Sequence, residues 1–507
     1  MTSPSPIPLS ESEQIVQLQK KLVWAELKIQ VLEERLRLER IKKYGPGSEK
    51  LNDAQLQLLD LEPGVSNVEV QAESEREPLP SPEKQQKRRQ HPGRQKLPAG
   101  LPRVERVIAC APEQCTCKLC GHAKAVIGYD VSEQLDVEPA HYFVVVTKRE
   151  KRACKRCEEG GVVAAPVPER IIEKSLVSDR VVIDTVVAKY SDHLPLYRQS
   201  VILQREGGVE IGRATLDGWV MRVGELLIPL VDVMRRELLG GSYIQADETP
   251  VDVQLHNGRG QNHQAYLWQY GQPGGGVVFD FCLGRGREGP KEFLGQFEGI
   301  LQTDGYVAYE RVGGPKLVHA GCWAHSRRKF FDAVKLNPND AVATRMVKLI
   351  DELFGIDALA REQKLDHAAR HVLRLESAQP LVKVIRGGSE AARDASLPSS
   401  ALGKAANYTL SQWRKLTRFL EHAELELSNN LAENSMRPVA LGRKNWIHVG
   451  SQKAGPKVAA ILSIVETCRR IKIPIRKYLA AVLPGIADVS IHRLADLTPA
   501  AWAARLQ

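Results

Sequence analysis

Apolar residues recur at Ile15, Leu18, Leu22, Ala25, Ile29, Leu32 and Leu36, alternately three and four positions apart. That is the a/d seam of a short coiled coil. It predicts one helix over 11–44, a zipper with a second copy of the chain as its partner. An amphipathic helix packed on its own chain would use the same stripe. Tyr44-Gly45-Pro46-Gly47 ends the helix through Gly and Pro chemistry. The periodicity then fades, and residues 45–106 read as a linker, rich in Glu, Pro and Ser over 63–82. Helical periodicity returns at 181–190, 196–204 and 213–227. The last two are joined through Gly207, Gly208 and Gly212, so 175–237 is compatible with a helix-turn-helix whose third helix reads DNA. Helix pairs with Gly turns are also common in proteins that bind no DNA.

From Gly241 the pattern turns to strands, at 243–253, 265–270 and 277–283. A helix near 291–297 follows, then strands at 299–306 and 316–322 and a helix over 324–334. Three strands, helix, strand, strand and helix suit a ribonuclease-H-like α/β core over 241–336 and 428–450. A mostly helical insertion over 337–427 interrupts it, and a basic segment, 451–507, follows. The expectation is a multidomain α+β protein.

Composition narrows the class. The chain has 507 residues, 43% hydrophobic and 26% charged, enough for several folding units with real cores. No apolar run approaches the roughly eighteen residues of a membrane span. Met-Thr-Ser-Pro-Ser-Pro at the start has neither the basic nor the apolar region of a secretory signal. A cytoplasmic protein is expected. Nine cysteines are too few for a disulfide scaffold, and six fall between Cys110 and Cys157, which points to a reducing compartment and a metal. Cys117-x2-Cys120 and Cys154-x2-Cys157 have the spacing of a tetrahedral structural zinc site in a zinc-binding domain over 107–165, with Phe143–Thr147 as its clearest strand. Cys115 could replace Cys117, and Cys110 is a bystander. A small core of reduced cysteines is disfavoured by the flanking Lys148, Arg149, Lys151, Arg152, Lys155 and Arg156.

The net charge is +10, and its distribution matters more than its total. Asp53–Glu77 holds seven acids and one base; Lys84–Arg106, with Lys87-Arg88-Arg89 inside it, holds eight bases and one acid. Asn434–Lys477 holds ten bases and one acid, a balance of +9, with Trp446 and His448 among them. The first run reads as a phosphate-contacting tail or a solvated one. The second reads as a DNA channel with stacking surfaces, Arg437, Arg443, Lys444 and Trp446 foremost.

Asp247 lies near the centre of the first strand of the core and Asp304 at the end of the fourth. Phosphodiester chemistry uses two divalent ions, which activate the nucleophile and stabilise the leaving oxygen. Mg²⁺ (or Mn²⁺) takes hard oxygen ligands. Glu433, at a helix start, is the candidate third carboxylate. Glu248 is a weaker candidate, since it points to the opposite face of the strand from Asp247. A lone strand-end Asp is usually a turn or cap residue; the conjunction of strand context, spacing and basic surroundings favours ligands. Cys322-Trp-Ala-His325 has metal-like spacing but no second pair nearby. The expectation is therefore that Cys322 ends a buried strand, and that His325 with Arg327, Arg328 and Lys329 faces phosphates.

Gln245-Ala-Asp247-Glu-Thr-Pro, Gln302-Thr-Asp304-Gly-Tyr, Gly321-Cys-Trp-Ala-His-Ser-Arg-Arg-Lys-Phe, Asn429-Asn-Leu-Ala-Glu433, Arg437-Pro-Val-Ala-Leu-Gly-Arg-Lys-Asn-Trp446 and Ser48-Glu-Lys-Leu resemble, in order, the transposase of the insertion sequence 66 family. The resemblance spans nearly the whole chain. It implies an Asp-Asp-Glu transposase with Asp247, Asp304 and Glu433 as metal ligands, nicking element ends and directing the freed 3′-hydroxyl onto target DNA. It also implies terminal-repeat DNA and target DNA as partners, a multimer formed through the zipper, and two small accessory proteins of the same element. Many members have Asp at the position of Ser428, and some have Arg at that of Asn434. The rival readings are a non-catalytic DNA-binding regulator derived from a transposase and a stand-alone nuclease such as a junction resolvase.

Overall fold

The computed structural model describes residues 11–44, 103, 105, 123, 141–153, 162–255 and 262–505. The chain divides into one unit of residues 1–80 with 145–507 and a second of 81–144; every element below belongs to the first. The six clustered cysteines and Lys87, Arg88 and Arg89 lie outside the described residues, so the expected zinc ligands and basic tail have no structural account here.

Helix α1 (Glu11–Tyr44) forms as its heptads predict. Its seam residues Ile15, Leu18, Leu22, Ile29, Leu32 and Leu36 are exposed, whereas Val31 and Glu34 are buried. Leu27, Gln30, Val31 and Glu34 fall at heptad positions on the side of the helix away from the seam. This back face packs against the chain's own insertion, where a Glu34 carboxylate oxygen accepts from the Ala401 N–H at 2.9 Å. The face packed on the chain is therefore not the apolar stripe itself.

Strands β1 (Lys151–Ala153) and β2 (Val162–Ala164) form a short antiparallel ladder, Lys151 opposite Ala164. Phe143–Thr147, expected as a strand, is exposed and outside any ladder. Three helices follow: α2 (Asp179–Tyr190), α3 (Leu196–Gly207) and α4 (Arg213–Leu239). Gly208 ends α3 at φ +66°, the left-handed conformation that closes many helices, its N–H returning to the Gln204 carbonyl. α4 runs to Leu239, well beyond the expected Leu227. Leu216, Val220, Val223, Leu227, Leu230 and Met234 make one buried stripe along it, packed with strand residues Leu267 and Val277 in the same core. Most of the expected reading helix is thus a core helix, and no domain boundary falls at 237–241.

The main sheet contains β3 (Tyr243–Val253), β4 (His263–Gly271), β5 (Val277–Cys282), β6 (Ile300–Gln302) and β7 (Val318–Ala320) in the order β5-β4-β3-β6-β7. β4 is antiparallel to both neighbours, while β3, β6 and β7 run parallel. Helix α5 (Glu288–Leu294) connects β5 to β6, and α6 (Trp323–Leu336) follows β7.

The expected insertion is helical, with α7 (Ala341–Glu362), α8 (His367–Leu373), α9 (Gln379–Ala395), α10 (Ala401–Ser411) and the short α11 (Trp413–Leu416). These helices bury a second core with Trp323, Phe330 and Phe331 of α6, reaching the sheet at Tyr243 and Ile300. Its interior also holds charges. Asp357 pairs with Arg370 and Arg374, and Glu426 pairs with Arg361 and Arg370. Burial works against the Asp357 carboxylate, but Arg374 and Arg370 outweigh it and hold the group down at about 2.

After the insertion come α12 (Asn430–Trp446), β8 (His448–Val449), α13 (Ala454–Arg470), α14 (Ile475–Val482) and α15 (Pro499–Ala504). The segment from 451, expected as basic, contains a core helix. The Ser463 hydroxyl of α13 accepts from the Phe279 N–H at 2.8 Å, and Thr467 bonds both polar backbone groups of Val277. α13 therefore satisfies the outer edge of β5, where bare strand groups would otherwise invite another chain.

Candidate catalytic carboxylate site

Gln-x-Asp occurs at 245–247 and again at 302–304, on adjacent parallel strands with Gln245 opposite Gln302. Side chains alternate along a strand, so each Asp follows its Gln two residues on, at the same level of the sheet. The glutamines are locked together: the Gln245 amide donates to the Gln302 Oε1 at 3.0 Å and to the Ser428 carbonyl at 3.0 Å. Gln302 in turn donates to the carbonyls of Gly321 and Glu426, at 3.0 and 2.7 Å. These bonds tie the two aspartate strands to the segment that enters α12, whose first turn carries Glu433.

Asp304 lies just past β6. Its Oδ1 accepts from the Tyr306 N–H at 2.8 Å, and its carbonyl accepts from the Tyr408 hydroxyl of α10 at 2.6 Å. Gly305 follows at φ +90°, where an added Cβ would also meet the Gln412 side chain at 2.8 Å; the sharp turn after Asp304 needs glycine.

The electrostatics bring the three acids together. Burial pushes the Asp247 carboxyl well above the usual carboxylate range, and the charges of Glu433, Glu248 and Asp304 push it further. A half-buried set of hard oxygen donors suits a divalent cation of the Mg²⁺ type.

Glu248 has partners of its own. Its side chain is 2% exposed and accepts from Arg285 at 2.7 Å and from the Tyr309 hydroxyl at 2.9 Å. The Tyr306 hydroxyl donates to the Arg285 carbonyl at 3.0 Å, with the guanidinium 4.1 Å above its ring. Glu248 thus clamps the turn following Asp304 from the opposite face of β3.

The basic residues divide. Arg328 lies 3.7 Å from Glu433, Lys329 is exposed, and Lys444 is exposed on α12. Arg437 is half-buried. Arg327, expected to face phosphates, is instead 1% exposed and paired with Asp351. Arg443 is committed to β3 through Thr249 and the Pro250 carbonyl. Trp446, expected as a stacking surface, is buried edge-on against Tyr190. Arg469 and Arg470 pair with Glu466, Arg476 with Asp184 and Asp192, and Lys457 with Glu225. Two of the ten bases, Lys457 and Arg476, thus pair with acids from outside the run.

His325 was expected near the active site, facing phosphates, and Cys322 as the end of a buried strand; both lie beside Glu433. The Sγ of Cys322, a ring nitrogen of His325 and a carboxylate oxygen of Glu433 all lie within 4.8 Å of one another. Tyr408, Glu248 and the paired glutamines were missed as supporting residues. For the glutamines a signal existed, the repeated Gln-x-Asp; Tyr408 lies in the insertion and has none.

Residues 174–457, more than half of the chain, match the family described as the transposase IS66 family. The chain belongs to the IS66 transposase family. Residues 114–158 of this family member match the zinc-finger binding domain of transposase IS66, and residues 31–106 match a segment described as transposase C of IS166 homeodomain. The relatives include two uncharacterized proteins of Sinorhizobium fredii. Protein y4qI is 33% identical over 469 residues, 88% of this chain and 84% of its own; protein y4hP is 29% identical, covering 95% and 89%. The first match takes in α2–α4 together with the sheet, in keeping with the core they share. Among the described residues, no helix is long and apolar enough to cross a membrane.

Proposed function

We propose that this IS66-family chain is a divalent-metal-dependent Asp-Asp-Glu transposase that cuts DNA at the ends of its element and joins the freed 3′ ends to target DNA. The Asp247 carboxyl carries this reading: burial and the charges of Glu433, Glu248 and Asp304 together push it well above the usual carboxylate range. The strand order, third-second-first-fourth-fifth with the second antiparallel, supports a ribonuclease-H-like core. Divalent ions bound there would polarise the phosphodiester, generate the nucleophile and stabilise the leaving oxygen. Asp247 and Asp304 offer ligands from two rigid strands, Glu433 offers one from a helix, and the glutamine bonds and the Glu248 clamp hold their backbones in register. Arg328, Lys329, Arg437 and Lys444 are the proposed DNA contacts, with Lys87, Arg88 and Arg89 in the tail. Cys117, Cys120, Cys154 and Cys157 are the proposed structural zinc ligands. The exposed α1 seam suits a homo-oligomer, which bringing two ends together requires, and two small accessory proteins complete the proposed machinery.

The test is cleavage and joining of duplexes carrying the element ends, with Mg²⁺ or Mn²⁺, by the parent chain and by Asp304→Asn and Glu433→Gln. The parent should cut and join, and both variants should fall below detection while still binding DNA. Cutting without joining would make the protein a stand-alone nuclease. Binding without either reaction would make it a regulator.

A further inference from the structure

The motif beside the carboxylates has its own chemistry. Cys322 immediately precedes α6 and is 1% exposed. His325 lies one turn into α6, and its Nδ1 is 3.6 Å from Glu433 Oε1. Both atoms are shut off from solvent, and neither has a hydrogen-bond partner. Buried polar atoms are nearly always satisfied, so two orphans facing one another, with a thiol in reach, ask for an occupant. One sulfur, one imidazole nitrogen and one carboxylate oxygen suit zinc or cobalt(II), not magnesium.

We propose that Cys322, His325 and Glu433 form a second metal site, of borderline softness, that binds zinc-type cations and shares Glu433 with the carboxylate set. Three protein ligands leave a fourth tetrahedral position open. Binding displaces the protons of the thiol and the imidazole. If Glu433 serves the reaction proposed above, a zinc ion here draws one of its ligands away, and excess zinc opposes magnesium.

The test uses the full chain with one equivalent of zinc, for which the zinc finger has first claim, and then titrates cobalt(II) while recording the spectrum. The parent should develop a thiolate-to-cobalt charge-transfer band that saturates at one further equivalent. Cys322→Ser and His325→Gln, each shown by circular dichroism to be folded, should lose or markedly weaken it. Asp247→Asn should keep the band even if it loses Mg²⁺-dependent cleavage, which separates failure of this site from failure of the proposed reaction. No band in the folded parent, or an undiminished band in folded Cys322→Ser, would overturn the proposal.

Discussion

The Asp247 carboxyl is pushed up by burial and by the charges of Glu433, Glu248 and Asp304. Function and stability should therefore oppose each other at this residue. A carboxyl raised in the folded state contributes stability that is fully present below its unfolded value, about 3.9, and is lost as pH rises through the folded value. Near neutral pH without metal, Asp247→Asn should raise the unfolding temperature, on the order of 1 kcal/mol, with the advantage shrinking toward acid. Adding Mg²⁺ should stabilise the parent by mass action and not the variant. Thermal scans from mildly acidic to neutral pH with and without metal check this; a variant no more stable than the metal-free parent would contradict it. The aspartates were legible because one stands near the centre of a strand-like stretch and the other at the end of a second, among basic surroundings. The direction of each basic side chain was not. Successive residues on a helix point about 100° apart, so Arg327, Arg328 and Lys329 cannot all face one partner, and the charge run does not say which turns inward.

At the level of elements, the sheet strands, α1 and the helical character of the insertion could be read from periodicity and turn residues. Two helices were misjudged for one reason: composition was weighed without position. α4 was expected to end at Leu227 but runs on through Pro229 to Leu239, since a helix can keep a proline when packing holds it. α13 was read as part of a basic segment, while its Ala, Ile, Leu and Val residues cover β5. The charged interior of the insertion had no sequence signal, since Asp357, Arg370, Arg374 and Glu426 meet only after the helices fold. Asp357→Ala would leave Arg374 and Arg370 without that carboxylate, and should cost about 3–5 kcal/mol, read by denaturant unfolding. The Asp357 carboxyl, held at about 2, contributes stability present above the unfolded carboxylate range and lost as pH falls toward that value. The parent should therefore weaken in acid below about 4, and Asp357→Ala should weaken less steeply over the same range.

For the molecule as a whole, the sequence suggested modules in a row, whereas α2–α4, the sheet and α13 share one core. Internal ion pairs also shrink the surface that total charge seemed to offer DNA. Each phosphate contact adds about one unit to the slope of affinity against salt. Lys444→Ala should reduce that slope by about one, and Arg327→Ala should leave it unchanged while lowering stability; titrations at several ionic strengths separate the two. The closeness of α4 and α13 also bears on how copies of such an element decay. At Gly224 an added Cβ would stand 2.7 Å from the Lys457 side chain, so residues far apart in the gene meet backbone against backbone. A frameshift or stop codon shortly before Ala454 would therefore not release a shorter protein able to occupy the ends and block its intact siblings. It would strip the cover from β5, and the product should be recovered as insoluble aggregate or degraded fragments.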